Sequence, residues 1–243
     1  FVNIVTAELG ISGERVHFHE GDPDLKMVGN GTGGSRSLYG AGSAFKLLGP
    51  KIIETAKAHA ADLLGADSAE VRYAAGIFHA AGRSIGLFEL ARRLAPNAGA
   101  TKGAVHPMDC AADCLFGVTY PNGCHIAEVE IDADTGAVDV LAYTTVDDVG
   151  NVIDRASVEG QVHGGVMQGV GQALGEQAIH DHDTGQLLSG SFMDYAMPRA
   201  DWMRGIRCDE HPVPTKTNAL GAKGVGESGT SGALPATMNA ILC

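Results

Sequence analysis

The stretch HIAEVEIDADTGAVDVLAYTTVDD, residues 125–148, decides how the sheet is built. Apolar and polar side chains alternate on both sides of Asp134-Thr135-Gly136, and such alternation is typical of strands with one buried face. A short Asp–Thr–Gly segment between two alternating runs is a strong hairpin signal. The stretch therefore predicts two antiparallel strands joined by a tight turn. Asp147 and Asp148 could bind a ligand there, but an exposed strand end explains both and is the expectation.

Helical and strand patterns mix along the rest of the chain without a regular β–α–β alternation, so the predicted class is α+β, with mixed helices and antiparallel strands. Helices are predicted near the start, at 39–64, at 87–94, at 155–177 and after Glu227. Further strands are predicted at 16–20, at 115–120 and from Ile206, with two short strands around a turn within 70–86. Two subdomains are expected, at about 1–112 and 113–243.

The bulk composition excludes several classes of protein. The 243 residues are 44% hydrophobic and 19% charged, as in a folded domain. A net charge of −12 argues against a nucleic-acid partner, because phosphate binding needs clustered Lys and Arg. No apolar run reaches the roughly 18 residues that a membrane span needs. We therefore expect a cytoplasmic protein without a membrane span. The chain begins without Met and stops inside an apolar run, so a piece of a longer subunit is expected.

The cysteines and histidines do not form a recognisable metal-ligand set. The five cysteines are scattered and include no CxxC pair, which leaves zinc and iron–sulfur sites without support. His180-Asp181-His182-Asp183 resembles a metal cluster, but it belongs to a second Asp–Thr–Gly turn and alternates between faces. A solvated hairpin is the expected structure there, and no metal ligand is assigned to this chain.

The segment GNGTGGSRS, residues 29–37, fits the spacing GxGxxG. A dinucleotide-binding fold needs a strand running directly into the glycines, and the turn residues Asp22-Pro23-Asp24 interrupt such a strand. The Rossmann interpretation is therefore rejected. Two interpretations remain: an anion site made by backbone N–H groups with Ser35 and Ser37, or a glycine-rich loop with a serine N-cap.

The segment GQVHGGVMQGVGQALGE, residues 160–176, places six glycines within one helical pattern. Each glycine costs about 1 kcal/mol in a helix interior, so close approach by another backbone or by a ligand is expected. Tight helix packing explains the glycines but leaves Gln161 and Gln168 unexplained, whereas a bound cofactor explains both. The two hypotheses stay level, and His163 is interpreted as a structural histidine.

The segment KGVGESGTSGALPATMNAI, residues 223–241, places a single carboxylate, Glu227, among glycines just before a helix. A lone glutamate in such a loop is commonly an exposed surface residue. In a cleft with an electrophile or a metal beside it, the same residue could act as a general base.

Taken in order, GTGGSRS, GQVHGGVMQGVGQALGE and GAKGVGESGTSGALPATMNAI resemble the C-terminal part of the large subunit of molybdenum hydroxylases. This family includes xanthine oxidase, aldehyde oxidoreductase and aerobic carbon monoxide dehydrogenase, and the resemblance covers nearly the whole chain. It implies a molybdopterin cofactor, in bacteria often the cytosine dinucleotide form, whose own sulfurs hold the molybdenum. That agrees with the missing ligand set.

The resemblance also implies roles for individual residues. Glu227 occupies the position of the base beside molybdenum, in a hydroxylation or oxidation of an aldehyde, an N-heterocycle or a CO-like carbon that takes its oxygen from water. The residues that would bind the cofactor are Gly33, Gly34, Ser35, Arg36, Ser37, Gln161, Lys223, Gly224, Val225, Gly226 and, on a looser alignment, Asn3. The remaining wall of the pocket is expected on another part of the large subunit.

The resemblance further implies 2Fe-2S and FAD centres on partner subunits or domains, a small-molecule substrate and a higher oligomer. A different hypothesis is a noncatalytic module that carries the cofactor or assists assembly while it retains the fold. The intact GVGE loop favours the enzyme, because a module without chemistry does not need Glu227. A nucleotide-binding protein of another kind, inferred from GNGTGG alone, is the weakest alternative.

Overall fold

The computed structural model describes residues 1–24, 29, 31–95 and 105–243, and the chain divides into two units. Unit 1 contains residues 1–31, 38–116 and 218–220, and unit 2 contains 32–37, 117–217 and 221–243. Each unit holds helices and one three-stranded sheet, so the α+β class is confirmed. Of the described helices, none is both long and apolar enough to cross a membrane.

Unit 1 is built on a long helix and a small antiparallel sheet. The helices are α1 (Val2–Leu9), α2 (Ser37–Leu64) and α3 (Leu87–Leu94), and the strands are β1 (Arg72–Ala74), β2 (Ile77–Ala80) and β3 (Arg83–Gly86). Short 3-10 turns lie at Gly13–Arg15 and Ser68–Glu70. Phe78 and Leu90 are fully buried against Ala56 and Ala60 of α2, because the small residues of that helix let the sheet approach closely.

Unit 2 places a hairpin against two helices. Strands β4 (Asn122–Ile131) and β5 (Val138–Asp148) pair antiparallel, and β6 (Ile206–Glu210) pairs parallel to β5. The helices are α4 (Arg155–Leu174) and α5 (Ser228–Leu242), with a 3-10 turn at Ala200–Trp202. The inner face of the sheet and one face of α4 supply the core, in which Tyr143, Val166 and Val170 are fully buried.

The glycines of α4 let α5 pack directly on its backbone. A Cβ added at Gly165 would lie 2.8 Å from the backbone nitrogen of Thr230, and one at Gly169 would lie 2.6 Å from the Cβ of Ala233. Gly160 and Gly164 have no such neighbour within 4 Å. Helix packing therefore accounts for the middle of the glycine pattern and leaves its beginning unexplained.

Most predicted elements are confirmed, including the hairpin around Asp134-Thr135-Gly136 and the helices at 39–64, 87–94 and 155–177. One pairing differs from the antiparallel expectation, since β6 runs parallel to β5. The region 70–86 forms three strands rather than two, because left-handed residues make two tight turns, at Ala75-Gly76 and Ala81-Gly82.

Two predicted strands were wrong. Residues 16–20 form no strand, and Phe18 instead stacks on Phe1, with ring centroids 5.1 Å apart. Apolar and polar residues alternate in the sequence at 115–120, yet this segment forms no strand. Leu115 and Tyr120 are highly exposed, so the segment has no buried face either. Alternation predicts a strand only where a neighbouring strand accepts the hydrogen bonds.

Candidate active site

Unit 2 contains a cavity of about 500 Å³ at the N-terminal end of α5. Its wall is formed by the loop at Gly34 and Ser35, the segment 118–123, and the first turn of α5 with Glu227, Ser228 and Ser231. Residues far apart in the chain therefore share one wall. The lining includes hydroxyls, glycine backbone and one exposed carboxylate, beside the side chains of Val118, Tyr120 and Pro121. His125 and Asp147 also line the cavity.

Glu227 and Ser35, two residues singled out by the sequence, contact each other in this wall. The Ser35 hydroxyl donates to Oε2 of Glu227 at 2.8 Å, across 192 residues of sequence. Glu227 stands at the N-cap position of α5, but its side chain does not cap the helix. Its carboxylate is thus oriented by a serine of another segment and not by its own helix.

The glycines beside Glu227 are required by the close approach of Ser35. A Cβ at Gly224 would lie 2.8 Å from the carbonyl oxygen of Ser35, and one at Gly226 would lie 3.1 Å from its hydroxyl. Gln161 is also near, with Oε1 3.5 Å from the same added atom at Gly226. Residues 224 and 226 are therefore glycines at positions where a side chain would displace Ser35, the hydrogen-bond partner of Glu227.

The Ser35 loop has a backbone that side chains rarely adopt. Ser35 has φ 57° and Gly34 has φ 59°, both in the left-handed region. A non-glycine residue there is uncommon and carries strain. The hydrogen bond to Glu227 and the contact with Gly224 are the interactions that hold it.

The Glu227 loop is anchored at two further points. The Gly224 N–H donates to the hydroxyl of Thr119 at 3.1 Å, which ties the loop to the segment 118–123 of the cavity wall. The Lys223 ammonium donates to Oδ2 of Asp148 at 2.5 Å, and both side chains are nearly buried. The side chain of Lys223 is therefore engaged with the end of β5, and Val225 packs on the core.

The Lys223 bridge changes the acidity of Asp148. Burial by itself would raise the pKa of this carboxyl, but hydrogen bonds from Lys223 and from the backbone N–H groups of Val213 and Gly150 outweigh burial and lower the pKa. The carboxylate is thus ionised and paired at neutral pH. It stabilises the loop that carries Glu227.

A buried polar cluster of His125, Tyr143, Thr145 and Asp147, which was not predicted from the sequence, borders the cavity. His125 Nδ1 lies 3.0 Å from the Tyr143 hydroxyl, and Nε2 lies 3.3 Å from Oδ1 of Asp147. Thr145 donates to the other oxygen of Asp147 at 2.8 Å. The side chains of His125 and Asp147 are only 6% and 5% exposed.

The cluster corrects the expectation that Asp147 and Asp148 lie at an exposed strand end. Asp147 is 3% exposed as a residue, and the side chain of Asp148 is 13% exposed. The signal was the alternation itself, because it places Tyr143, Thr145 and Asp147 on the same inward face of the hairpin. Polar residues on an inward face require partners.

The other residues named from the sequence are less closely tied to the cavity. Gln168 accepts a hydrogen bond from Thr230 at 2.8 Å, which joins α4 to α5. The Ser37 hydroxyl lies 2.6 Å from that of Thr32. Gly33 and Arg36 belong to the same loop as Ser35, His163 is exposed on α4, and Asn3 lies on α1 of unit 1.

The residues His180 to Asp183 form a turn. Oδ1 of Asp181 accepts from the Thr184 N–H at 2.8 Å and from its hydroxyl at 2.7 Å, and His180 pairs with Leu187. In the part of the chain that the structure describes, no three His, Cys, Asp or Glu side chains are grouped so as to hold a metal ion. Asn30 of the glycine motif lies outside the described residues.

Comparison with protein families matches residues 1–204 to a model described as a molybdopterin cofactor-binding domain. A subunit of a 6-hydroxypseudooxynicotine dehydrogenase complex (subunit gamma, Paenarthrobacter nicotinovorans) is 33% identical over 98% of this chain and 30% of its own length. The carbon monoxide dehydrogenase large chain of Hydrogenophaga pseudoflava is also 33% identical, over 100% of this chain and 30% of its own.

Solved structures agree with the sequence relatives. A Cu,Mo carbon monoxide dehydrogenase superposes with a TM-score of 0.79 at 29% identity, over 99% of this chain and 30% of that chain. Quinoline 2-oxidoreductase from Pseudomonas putida 86 gives 0.79 at 29% identity, over 99% and 31%. The chain therefore spans about 30% of the length of these relatives.

Proposed function

Because this chain belongs to the molybdenum hydroxylase family, we propose that it carries the base and part of the cofactor-binding wall of a molybdopterin-dependent oxidoreductase. The proposed reaction is the hydroxylation or oxidation of a carbon in an aldehyde, an N-heterocycle or a CO-like molecule, with water as the oxygen source. The observation that carries the proposal is the Ser35–Glu227 hydrogen bond in the wall of the cavity.

Glu227 suits the role of a general base. Ser35 occupies Oε2, and among the described residues Oε1 has no hydrogen-bond partner, so that oxygen can accept a proton from a group in the cavity. A base held in one orientation at a cavity wall meets the geometric requirement for proton transfer.

The residues present fit a molybdopterin. The cavity of about 500 Å³ has hydroxyls at Ser35, Thr119, Ser228 and Ser231, and glycine backbone at its entrance loops. These groups suit a polar cofactor that brings its own metal ligands. When bound, the cofactor supplies the redox chemistry. Ser35 and the N–H groups from Gly33 to Ser37 would contact it, together with Gln161, Arg36 and the loop of Gly224 and Gly226.

The names of two relatives, one a complex subunit and the other a large chain, support a wider assembly. We propose that the remainder of the large subunit completes the pocket. Iron–sulfur and FAD subunits or domains would receive the electrons, in a higher oligomer located in the cytoplasm. The cytosine dinucleotide form of the cofactor belongs to the same proposal. The relatives' names include carbon monoxide dehydrogenase and nicotine 6-hydroxylase, which supports small carbonyl or N-heterocyclic substrates.

The experiment that tests the function is the Glu227→Gln variant in the full-length subunit within its complex. Turnover should fall by about 10²- to 10⁴-fold, as expected for loss of a general base, while molybdenum content measured by mass spectrometry stays at the wild-type level. Glu130→Gln, which changes an exposed glutamate on β4, is the matched control and should leave both unchanged. Near-normal turnover in Glu227→Gln would contradict the assignment of Glu227 as the general base.

The cofactor wall is tested separately. Ser35→Ala combined with Ser37→Ala should lower cofactor occupancy, measured as molybdenum content, more than it lowers fold stability, measured as the melting temperature of the complex. Both serines are partly exposed and neither belongs to a hydrophobic core cluster. Unchanged molybdenum content with both hydroxyls removed would contradict the proposed contact. Free nucleotide released by acid, identified as cytidine monophosphate, would establish the dinucleotide form.

A further inference from the structure

We propose that His125 is a positioning residue for Glu227, which it holds in place through the first turn of α5. The inference rests on the proposed function, because it assigns His125 a purpose in the reaction that Glu227 would serve. It concerns a residue on β4, 102 positions earlier in the chain, whose side chain is buried. Three observations support the proposal. They are the hydrogen bonds of the His125 ring, the contact of that ring with α5, and the close contacts between the backbones of α4 and α5.

The ring of His125 is fixed at both nitrogens. Oδ1 of Asp147 is a hydrogen-bond acceptor that faces Nε2 of His125, and its other oxygen accepts from the Thr145 hydroxyl. Because a carboxylate only accepts, Nε2 is the ring nitrogen that carries the proton. Nδ1 then accepts from the hydroxyl of Tyr143. Burial, with the nearby Asp147 charge, raises the pKa of Tyr143, so this hydroxyl keeps its proton and remains a donor. The cluster therefore specifies one tautomer and one ring orientation.

The face of this fixed ring packs on the bare backbone of α5. A Cβ added at Gly232 would lie 2.5 Å from Cγ and Nδ1 of His125, closer than real contacts allow. Gly232 is one turn into the helix that begins after Glu227. Because no side chain intervenes, a displacement of the ring is transmitted directly to the helix backbone.

Helix α4 supports α5 through equally close backbone contacts. A Cβ at Gly229 would lie 2.6 Å from the carbonyl oxygen of Val162, and one at Gly165 would lie 2.9 Å from the Cα of Gly229. The start of α5 is thus held by α4 at Gly229 and by His125 at Gly232. Glu227 directly precedes this part of the helix as its N-cap residue, so the position of the helix start sets where the carboxylate lies in the cavity.

Positioning of this kind has a large effect on rate. A misplacement of about 1 Å by a change remote from the chemistry can cost about 10²-fold. A merely structural cluster predicts something else: lower stability with unchanged kcat in the molecules that remain folded. The two roles are therefore separable by experiment.

The test is a double-mutant cycle of His125→Ala and Gly232→Ala in the full-length subunit within its complex. Each single variant should lower kcat by about 10- to 100-fold per bound molybdenum and change KM by less than about twofold. In the double variant the smaller side chain at 125 makes room for the Cβ at 232, so the loss should be clearly smaller than the product of the two single losses. Losses that simply multiply would overturn the proposal.

A second measurement does not depend on activity. Hydrogen exchange of the peptide covering 228–234, followed by mass spectrometry, should be faster in His125→Ala than in the wild type. His125→Gln, which retains a donor toward Asp147, should recover much of the lost kcat and protection. Ile126→Ala, on the exposed face of β4, is the matched control and should change neither. Unchanged exchange in His125→Ala would also overturn the proposal.

The two proposals fail differently. Retained turnover in Glu227→Gln overturns the proposed function, and the role of His125 with it. Lost turnover in Glu227→Gln, combined with multiplicative losses for His125→Ala and Gly232→Ala, overturns the positioning role alone. If both proposals hold, adding His125→Ala to Glu227→Gln should cause little further loss, because the base that His125 positions is already gone.

Discussion

The two ends of the β4–β5 hairpin are held together by different kinds of contact. At the turn end, Oδ1 of Asp132 accepts from the Thr135 N–H at 2.7 Å and from its hydroxyl at 2.8 Å, three residues away. At the open end, Asp147 contacts His125 across 22 residues and Asp148 contacts Lys223 across 75. The turn end is held by contacts within a few residues of sequence, whereas the open end joins the sheet to the cavity wall.

This difference determines what each end can do. A turn that satisfies its own hydrogen bonds fixes the register of two strands and needs no other part of the chain. The open end has charged groups that are withdrawn from water, which is costly unless each one is paired. Its pairs are made with the Glu227 loop and with the strand beneath α5, so the cost of burial is offset only when the site is assembled.

The largest expected difference between the ends concerns the Lys223–Asp148 bridge. Lys223→Met leaves a largely buried carboxylate without its cation, which should destabilise the region by about 3 kcal/mol. The local free energy of opening, measured by hydrogen exchange of β5 and residues 221–227 in the full-length subunit, reports this loss. Lys216→Met, an exposed lysine of the same unit, should have no such effect. An equal response from both variants would mean that the bridge contributes nothing.

Gly123→Ala tests the packing around Asp147. The added Cβ would lie 2.5 Å from Oδ1 of Asp147 and 2.9 Å from the carbonyl oxygen of Val146. Overpacking of this kind should cost about 2 kcal/mol in local stability of the open end. Cys124→Ala, which trims the exposed neighbour, should be close to neutral. Hydrogen exchange of the β4 and β5 peptides measures both, and a neutral Gly123→Ala would show that the open end is loosely packed.

Acid should weaken the open end through Asp148. Its pKa is below the ordinary value of 3.8 in the folded protein, so its contribution to stability is fully present above that pH. The contribution is lost as pH falls through the lower folded pKa. In Lys223→Met the folded pKa rises, because burial is then opposed by fewer hydrogen bonds, and the loss should begin at higher pH. Exchange rates of β5 peptides between about pH 3 and 6, with the intrinsic pH dependence of exchange removed, give the comparison. Identical profiles for the wild type and the variant would contradict this assignment.

The smallest effect is expected at the turn end. Thr135→Ala removes a hydroxyl that donates to Asp132 and accepts from the Ala137 N–H. It leaves the bond from the Thr135 N–H to Asp132 and the left-handed Gly136 in place. The melting temperature should change by less than about 2 °C, because the turn is exposed. The corresponding change in the second turn, Thr184→Ala, should behave the same way. If Thr135→Ala destabilised the protein more than Gly123→Ala does, the comparison between the two ends of the hairpin would be reversed.

The sequence predicted what local patterns determine. Alternation and the Asp–Thr–Gly segment located the hairpin, and helical periodicity located α2, α3 and α4. The predicted strand at 115–120 failed because pairing depends on a partner strand, which a local pattern does not reveal. The assignment of 32–37 to unit 2, away from its sequence neighbours, was equally out of reach.

The site was partly within reach of the sequence. Glycine spacing and a lone acid pointed to Glu227, and the glycine-rich motif pointed to Ser35, which donates to it. His125 was missed and Asp147 was wrongly expected to be exposed, because each, taken singly, is an ordinary residue of an alternating strand. Their partnership follows from the register of β4 on β5, which includes an irregularity at Glu128/Val129. Their contact with α5 depends on the crossing of helices, and no spacing in the sequence encodes that.

The central claim is that Glu227 is the base of the site, and the reduction of the enzyme by substrate in a single turnover tests it most directly. Stopped-flow measurement on the full complex separates this step from reoxidation by the electron acceptor. Glu227→Gln with wild-type molybdenum content should be reduced at least about 100-fold more slowly, while reoxidation of chemically reduced enzyme keeps its rate. Reduction within about threefold of the wild-type rate would contradict the claim.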